Sequence, residues 1–420
     1  MRFGFEPFFC CVKIAMKLCY KFDQIENGDV FFDLHNNKGH REQAIKRGAS
    51  EIVTENAREQ MALRAKEFYG RACDKMKIIG VVGTNGKTTI VNMLGHLLGR
   101  KCAIVGTLGV TYNGKTIDTG MTTPDPIEMH KIFGRMHDAG MKYVAMETSA
   151  HAIHYKKLAG IAFDYLIFTN ISVDHLDFFK TFERYANTKI DFFFGEHVGK
   201  AVVNVDSEHG RVIASKREVI PYDLNSFDVP INLMAKFNRY NANACLTVMK
   251  DMGLKIPKKI SFPQIAGRFN TYVLKNGAIV VIDYAHTPDG LEKVIESVRE
   301  TCNGRVITVF GCGGDRDKSK RKTMGQISGD MSDFTVLTND NPRYEKPMKI
   351  IKQIKKGVKK NFVIIEDRRE AINFALYKAG SGDVVIIAGK GAEQYMEIRG
   401  EKVQFCDTRV ILDSGMVQTK

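Results

Sequence analysis

The loop Gly83-Thr84-Asn85-Gly86-Lys87-Thr88-Thr89 constrains this chain more than any other stretch, because its two flanks differ in period. Ahead of it, Ile78-Ile79-Gly80-Val81-Val82 is a short apolar run, the pattern of a buried strand. Behind it, Ile90, Val91, Met93, Leu94, Leu97 and Leu98 recur at helical spacing up to Gly99, a C-cap residue. Strand, glycine loop and helix in that order let backbone N–H groups approach an anion, and the helix start adds its positive dipole end. Lys87 would reach terminal phosphates, and Thr88 or Thr89 would hold Mg²⁺. The common longer form of such a loop wants a glycine five places before Gly86, where Val81 stands, so this is a shorter variant.

A chain of 420 residues leads us to expect two to three domains, and 44% hydrophobic content is ample for packed cores. The formal net charge of +14 points to anionic partners. The basic residues are spread out, with no arginine-rich arm and no aromatic-interleaved RNA motif. We therefore expect phosphorylated small molecules and a diffuse basic surface, with no nucleic acid and no membrane partner. The nine cysteines include the pair Cys10-Cys11 and no CxxC, so free thiols in a reducing compartment are expected. Glu6, Lys13 and Lys17 interrupt the apolar start, which reads as neither signal peptide nor membrane helix. A cytoplasmic monomer is the expectation.

Strands alternate with helices along most of the chain, which predicts an α/β fold with mostly parallel sheets. Residues 1–75 form a small module with strands near Gly28–Phe32 and Gly48–Val53 and a helix from Gly39 to Ile45. Residues 76–266 surround the phosphate loop. Here Tyr143–Glu147 and Tyr165–Asn170 are strands that end on polar groups, the place where parallel sheets hold ligands. Glu147 and His175 beside a phosphate loop read as metal ligands, although Mg²⁺ prefers oxygen donors. Residues 267–420 form a second α/β unit with strands Ile279–Asp283, Arg305–Phe310, Phe334–Thr338, Phe362–Ile365 and Val384–Ala388. Polar loops 283–286, 311–318, 339–343 and 389–393 follow four of these strands and should share one edge.

In their order, several pieces resemble the Mur ligases and, within them, the diamino-acid-adding branch, MurE. They are the phosphate loop, Thr122-Thr123-Pro124, Glu147 to His151, Thr169-Asn170 with Asp174 to Asp177, Phe237-Asn238 with Asn241, Gly267-Arg268, Asp283 to Asp289, Gly311 to Lys318, Asp340 to Arg343, and Gly389 to Glu393. The resemblance covers about residues 24 to 410. It implies three domains: a small N-terminal α/β cap for the UDP end, a central P-loop ATPase domain, and a C-terminal Rossmann-like domain for the incoming amino acid. It also implies an ATP-dependent ligase that joins a diamino acid, meso-diaminopimelate, to UDP-MurNAc-L-Ala-D-Glu through an acyl phosphate.

By the same resemblance, Gly83, Thr84, Asn85, Gly86, Lys87, Thr88, Thr89, Asn241, Asp283, Tyr284 and His286 bind ATP. Lys87, Lys189, His175 and Glu147 carry catalysis. Thr88 and Glu147 hold one of two Mg²⁺ ions, and His175 serves the second with Lys189 as a carbamate. On its own, Lys189 reads as a solvated helix lysine. Thr122, Thr123, Ser149 and Lys157 contact the UDP-MurNAc-dipeptide. Arg316, Asp340, Asn341, Arg343, Gly389 and Glu393 meet the amino acid. Arg343 would fork onto the distal carboxylate that lysine lacks, and Asp340 or Glu393 would take the distal ammonium.

The chain departs from the family pattern in several places. No Asp-Ser-Arg precedes Gly28, Ala150 replaces a serine, and Lys157 replaces an arginine. Asn270 replaces an acid and Ala392 a histidine. Two alternatives remain: a related amide ligase with another acceptor, such as a folylpolyglutamate synthase-like or diverged MurE-like enzyme, and a nucleotide switch without ligase activity.

Overall fold

The structure is a computed structural model that describes residues 17–231 and 235–418. Cys10-Cys11 and the expectations drawn from Met1 to Lys13 lie outside the described residues. The described chain divides into two units.

The first unit takes residues 17–76 together with Pro124–Gly140 and His151–Ala162. Its sheet has three parallel strands, Leu18–Cys19, Val30–Phe32 and Glu51–Val53, with Val30–Phe32 central. A central strand needs both faces covered. Val30 and Phe32 pack with Val53, Ala57 and Met61, and Phe31 packs on the other side with Cys19, Ile25 and Ala44. The expected helix is Lys38–Lys46, opened by Asn37, whose side chain accepts from the His40 N–H. A helix not anticipated, Ala57–Phe68, packs beside Pro126–Asp138.

The second unit holds two larger sheets. One orders its strands as Ile220–Tyr222, Val198–Asn204, Phe163–Phe168, Lys77–Val82, Tyr143–Glu147, Cys102–Gly106, Gly109–Tyr112 and Lys115–Ile117. The pairs are parallel up to Cys102–Gly106, and the last two strands fold back antiparallel. Val81 is level with Glu147 and Val82 with Phe168, so three strands end together where the phosphate loop begins. The expected strand near Tyr165 begins at Phe163 and stops at Phe168, leaving Thr169 and Asn170 in the loop.

The other sheet orders Asn270–Val273, Ile279–Asp283, Val384–Ala388, Val306–Phe310, Phe334–Leu337 and Phe362–Ile364, all parallel except the first. Successive side chains on a strand face opposite ways, and both faces here are apolar. Val281, Val306, Phe310 and Ile386 pack under Leu291, Ile295, Met324 and Ile350. Val280, Ile282, Ile307, Val309, Val385 and Ile387 pack under Ile372, Leu376, Val410 and Ile411. Asp283, Ala388, Phe310 and Leu337 lie level in register, so the four polar loops share one edge, as expected. The hairpin Tyr395–Ile398 with Glu401–Gln404 stands apart from this sheet. No helix of the described residues is long and apolar enough to cross a membrane.

One ion pair ties the end of the chain to that edge. Arg368 opens the helix Arg368–Lys378, and Asp407 opens Asp407–Asp413; neither side chain is exposed. The guanidinium meets both carboxylate oxygens at 2.8 Å and also donates to the carbonyls of Asn339 and Ala388. Removing one partner of a buried pair strands the other charge. Asp407→Ala should therefore lower unfolding free energy by about 3–5 kcal/mol in a urea titration.

Candidate functional site

The phosphate loop is wedged between two neighbours. A Cβ on Gly83 would lie 1.8 Å from Thr169 Oγ1, and one on Gly86 would lie 2.5 Å from Asn241 Oδ1. Gly86 also adopts φ +90°, which favours glycine, and Lys87–Leu98 starts directly after it. Asn170 fixes the loop through its carbonyl, which accepts from Thr84 N at 2.8 Å, and its Oδ1, which accepts from Asn85 N at 3.0 Å. Thr169 Oγ1 donates to Asn85 O at 2.7 Å. Lys87 Nζ folds back onto the carbonyls of Gly83 and Thr84. Lost hydration lowers its pKa against the pull of Glu147 and Asp174. The first-turn amides have no intrahelical acceptor.

Around the loop lie the acids and hydroxyls expected there. Glu147 is buried and accepts from Thr107 N at 2.7 Å and Thr107 Oγ1 at 3.2 Å. Thr107 Oγ1 is 3.1 Å from Thr122 Oγ1, and Thr123 Oγ1 donates to the Glu147 carbonyl and lies 3.3 Å from Ser149 Oγ. Thr122, Thr123 and Ser149 thus gather at one strand end. Lys157 belongs to the first unit, where it pairs with Asp125 at 2.7 Å; Asp125 also accepts from Tyr20 at 3.0 Å.

Lys189 is no solvated lysine: it is 1% exposed. Its ammonium nitrogen donates to the Tyr185 hydroxyl and reaches Thr84 Oγ1 at 3.4 Å. Burial, with Lys87 nearby, drives its pKa well below the ordinary lysine value, and Asp174 opposes only in part. His175 has φ +54° and places Nε2 3.3 Å from Asp174 Oδ2. Lost hydration pushes Asp174 up, but His286, His175 and Lys320 together outweigh it and hold the carboxyl low.

Residues after 266 reach the same place. Arg268 donates to Thr88 Oγ1 at 3.0 Å and stacks on the Tyr284 ring at 4.6 Å. Asn85 Nδ2 donates to Asp289 at 2.7 Å. His286 Nδ1 lies 2.8 Å from the Tyr284 carbonyl. Asp283 accepts from the N–H groups of Phe269 and Ala285, yet burial still pushes its carboxyl up to about 6.

The remaining loops form a second polar cluster. Asn341 Nδ2 donates to Glu393 at 2.8 Å, and buried Lys390 bridges Asn341 Oδ1 and Glu393 at 2.9 and 2.7 Å. Burial pushes Asp340 up, and Lys390 and Arg368 outweigh it so that it stays ionised. Gly389 has φ +114°, and a Cβ there would lie 2.7 Å from Asp340 Oδ2. Arg343 donates through Nε to Glu397 at 2.9 Å and through one terminal nitrogen to the Gly314 carbonyl at 2.8 Å. Arg316 is exposed beside Gly313, near this guanidinium.

Residues 81–228 match the Mur ligase middle domain, and residues 267–391 match the Mur ligase glutamate ligase domain. A relative from Caldanaerobacter subterraneus subsp. tengcongensis, named UDP-N-acetylmuramoyl-L-alanyl-D-glutamate--2,6-diaminopimelate ligase, is 37% identical across 90% of this chain and 89% of its own. This chain belongs to the Mur ligase family. A solved structure titled as a UDP-N-acetylmuramoyl-L-alanyl-D-glutamate--2,6-diaminopimelate ligase superposes on this Mur ligase with a TM-score of 0.64, at 28% identity, covering 95% of this chain and 94% of that one. Folylpolyglutamate synthase from Mycobacterium tuberculosis, complexed with ADP and AMPPCP, reaches a TM-score of 0.63 at 15% identity, covering 79% of this chain and 92% of that one. At that identity the likeness is one of fold alone.

The Mur ligase loop suits the phosphates of a nucleoside triphosphate: a Cβ on Gly83 or Gly86 would strike Thr169 or Asn241, so only glycine lets the loop keep this path, and Lys87 Nζ rests on the loop's own carbonyls. Among the described residues no three His, Cys, Asp or Glu side chains gather at metal-binding range. Thr88 and Glu147 would supply only part of a Mg²⁺ shell, which would suit an ion that keeps waters and phosphate oxygens. Asp174, Tyr185, Arg268, Lys390 and Glu397 hold the site together and were given no role from sequence. Arg268, Asp174 and Lys390 stand inside the resembling stretches. Nothing near Glu397 marks it in the sequence.

Gly83→Ala should force Thr169 off Asn85, an overpacking cost of about 1–3 kcal/mol. Calorimetric ADP affinity should fall about tenfold or more.

Proposed function

We propose that this Mur ligase forms an amide bond between 2,6-diaminopimelate, in its meso form, and UDP-MurNAc-L-Ala-D-Glu at the cost of one ATP. The observation that carries this reading is the cluster Asp340, Asn341, Arg343, Lys390 and Glu393, on the sheet edge that also bears Asp283 and His286. The names of the similar proteins support the same substrates.

In this reading, the loop amides and Lys87 seat the β- and γ-phosphates. The free D-glutamate carboxylate attacks the γ-phosphorus, and ADP leaves. The acyl phosphate is a far better electrophile than a carboxylate. Attack by the diamino acid's amine gives a tetrahedral intermediate, which expels phosphate. Bound Mg²⁺ would neutralise charge on the transferring phosphoryl group. Thr122, Thr123 and Ser149 stand beside Glu147, where they can orient the acceptor. Positioning and charge neutralisation are the protein's contribution.

Lys189 has a specific part. A protonated amine can neither add CO₂ nor bind a cation. Burial beside Lys87 favours the neutral amine, whose lone pair forms an N–C bond with CO₂ and releases a proton. The resulting carbamate offers two oxygens, which suits Mg²⁺ better than imidazole from His175 alone. It also reverses the charge beside Lys87.

Arg343 and Glu397 define the amino-acid end. A guanidinium carries five N–H donors, and two are engaged on Glu397 and Gly314. The others suit the distal carboxylate that separates diaminopimelate from lysine. A folylpolyglutamate ligase has no use for that arrangement.

Phosphate release with ATP and Mg²⁺ tests the reading: it should require both UDP-MurNAc-L-Ala-D-Glu and diaminopimelate. Release with neither would indicate a switch, and release with another acceptor a sister ligase. Lys189→Ala should be inactive and regain part of its turnover with added short carboxylates. Arg343→Ala should weaken transition-state binding by about 2–5 kcal/mol, seen as a raised Michaelis constant for diaminopimelate with that for ATP nearly unchanged.

A further inference from the structure

Seven lysines and no acid lie between Lys346 and Lys360, and all seven are exposed. The helix Pro347–Lys355 crosses this stretch and buries Ile350, Ile351 and Ile354 against the six-stranded sheet. At helical spacing, Lys349, Lys352 and Lys356 fall opposite that apolar stripe. Lys359 and Lys360 carry the charge on to Phe362–Ile364, the sheet's edge strand. The adjacent acid, Glu345, is already held by Arg321 and Lys318. None of the seven has an ion-pair partner among the described residues.

Folding does not account for this face. Cations near a helix C-terminus complement its dipole, and Lys352 and Lys355 are in the last turn. Lys346 at the N-cap and Lys349 in the first turn oppose the dipole, and no acid stands there to offset them. Seven like charges within fifteen residues also repel each other, and only Lys355 is offset by a ring, that of Phe362 at 5.8 Å, among the described residues. No ion pair among the described residues links them to the site either.

We propose that this lysine face docks on the anionic phospholipid headgroups of a membrane surface and holds the enzyme there peripherally. The composition selects this partner. The charges are all lysine, which acts as a point cation and suits a fluid field of headgroups. Base recognition in nucleic acids draws on arginine forks and stacking aromatics, and this stretch has neither. The proposal departs from the expectation of no membrane partner and stands apart from the ligase reading.

The test is sedimentation of the full chain with vesicles of phosphatidylcholine alone and of phosphatidylcholine with phosphatidylglycerol, at rising salt. The protein should follow only the anionic vesicles and be released by salt. Lys349→Gln, Lys352→Gln, Lys356→Gln and Lys359→Gln combined should lower the partition coefficient by about tenfold or more. Melting temperature and phosphate release without vesicles should stay unchanged. No sedimentation of the parent, or equal sedimentation of the variant, overturns the proposal. So does a variant whose only losses are DNA binding, or low-salt affinity for the UDP-linked substrate, which would assign the face to nucleic acid or to electrostatic steering.

Discussion

Parallel pairing is the constraint on which the rest of this molecule depends. In a parallel sheet every strand finishes on the same edge, so residues far apart in sequence arrive together if register is kept. Val82, Glu147 and Phe168 finish side by side, and the glycine loop emerges among them. Asp283, Phe310, Leu337 and Ala388 do the same in the other sheet. Register is held by apolar residues on both faces, because a slip of one residue would exchange the two packed surfaces. Chemistry at the edge thus rests on Val, Ile and Leu well behind it.

A second theme is charge kept in dry places. Lys189, Lys390 and Arg368 are all buried, and each meets its charge differently. Arg368 has a full carboxylate partner, and Lys390 has Glu393 with Asn341. Among the described residues Lys189 has only hydroxyls within hydrogen-bonding reach, so its environment favours the uncharged form. The first two arrangements tie loops to a paired charge, and the third favours an amine without its proton. Between the two buried lysines, the charge state follows from whether a carboxylate lies within hydrogen-bonding reach.

The sequence made the phosphate loop and its flanks readable because a change of hydrophobic period is local. Strand ends such as Glu147 and Asp283 were readable for the same reason, and the order of short motifs tied them to one family. Several interactions depend on partners brought from elsewhere. Arg268 meets Thr88, Asn85 meets Asp289, and Arg343 meets Glu397, each across a long stretch of chain. No local pattern encodes such pairs. The helix Ala57–Phe68 escaped notice because its buried side is mostly alanine, with Met61 as its one large buried apolar residue. The hairpin Tyr395–Gln404 is exposed on much of both strands and shows little apolar alternation.

The bond between Arg368 and Asp407 has a consequence for the far end of the chain. Residues 407–413 look like a peripheral afterthought, yet they neutralise a cation that grips the carbonyls at the roots of two loops. A polypeptide cut short ahead of that helix would leave an orphaned guanidinium inside the sheet edge, and the damage would appear first in the loops that begin at Asn339 and Ala388. That helix therefore works as a keystone, and a chain whose synthesis stops before it leaves the loops after Leu337 and Ala388 unset.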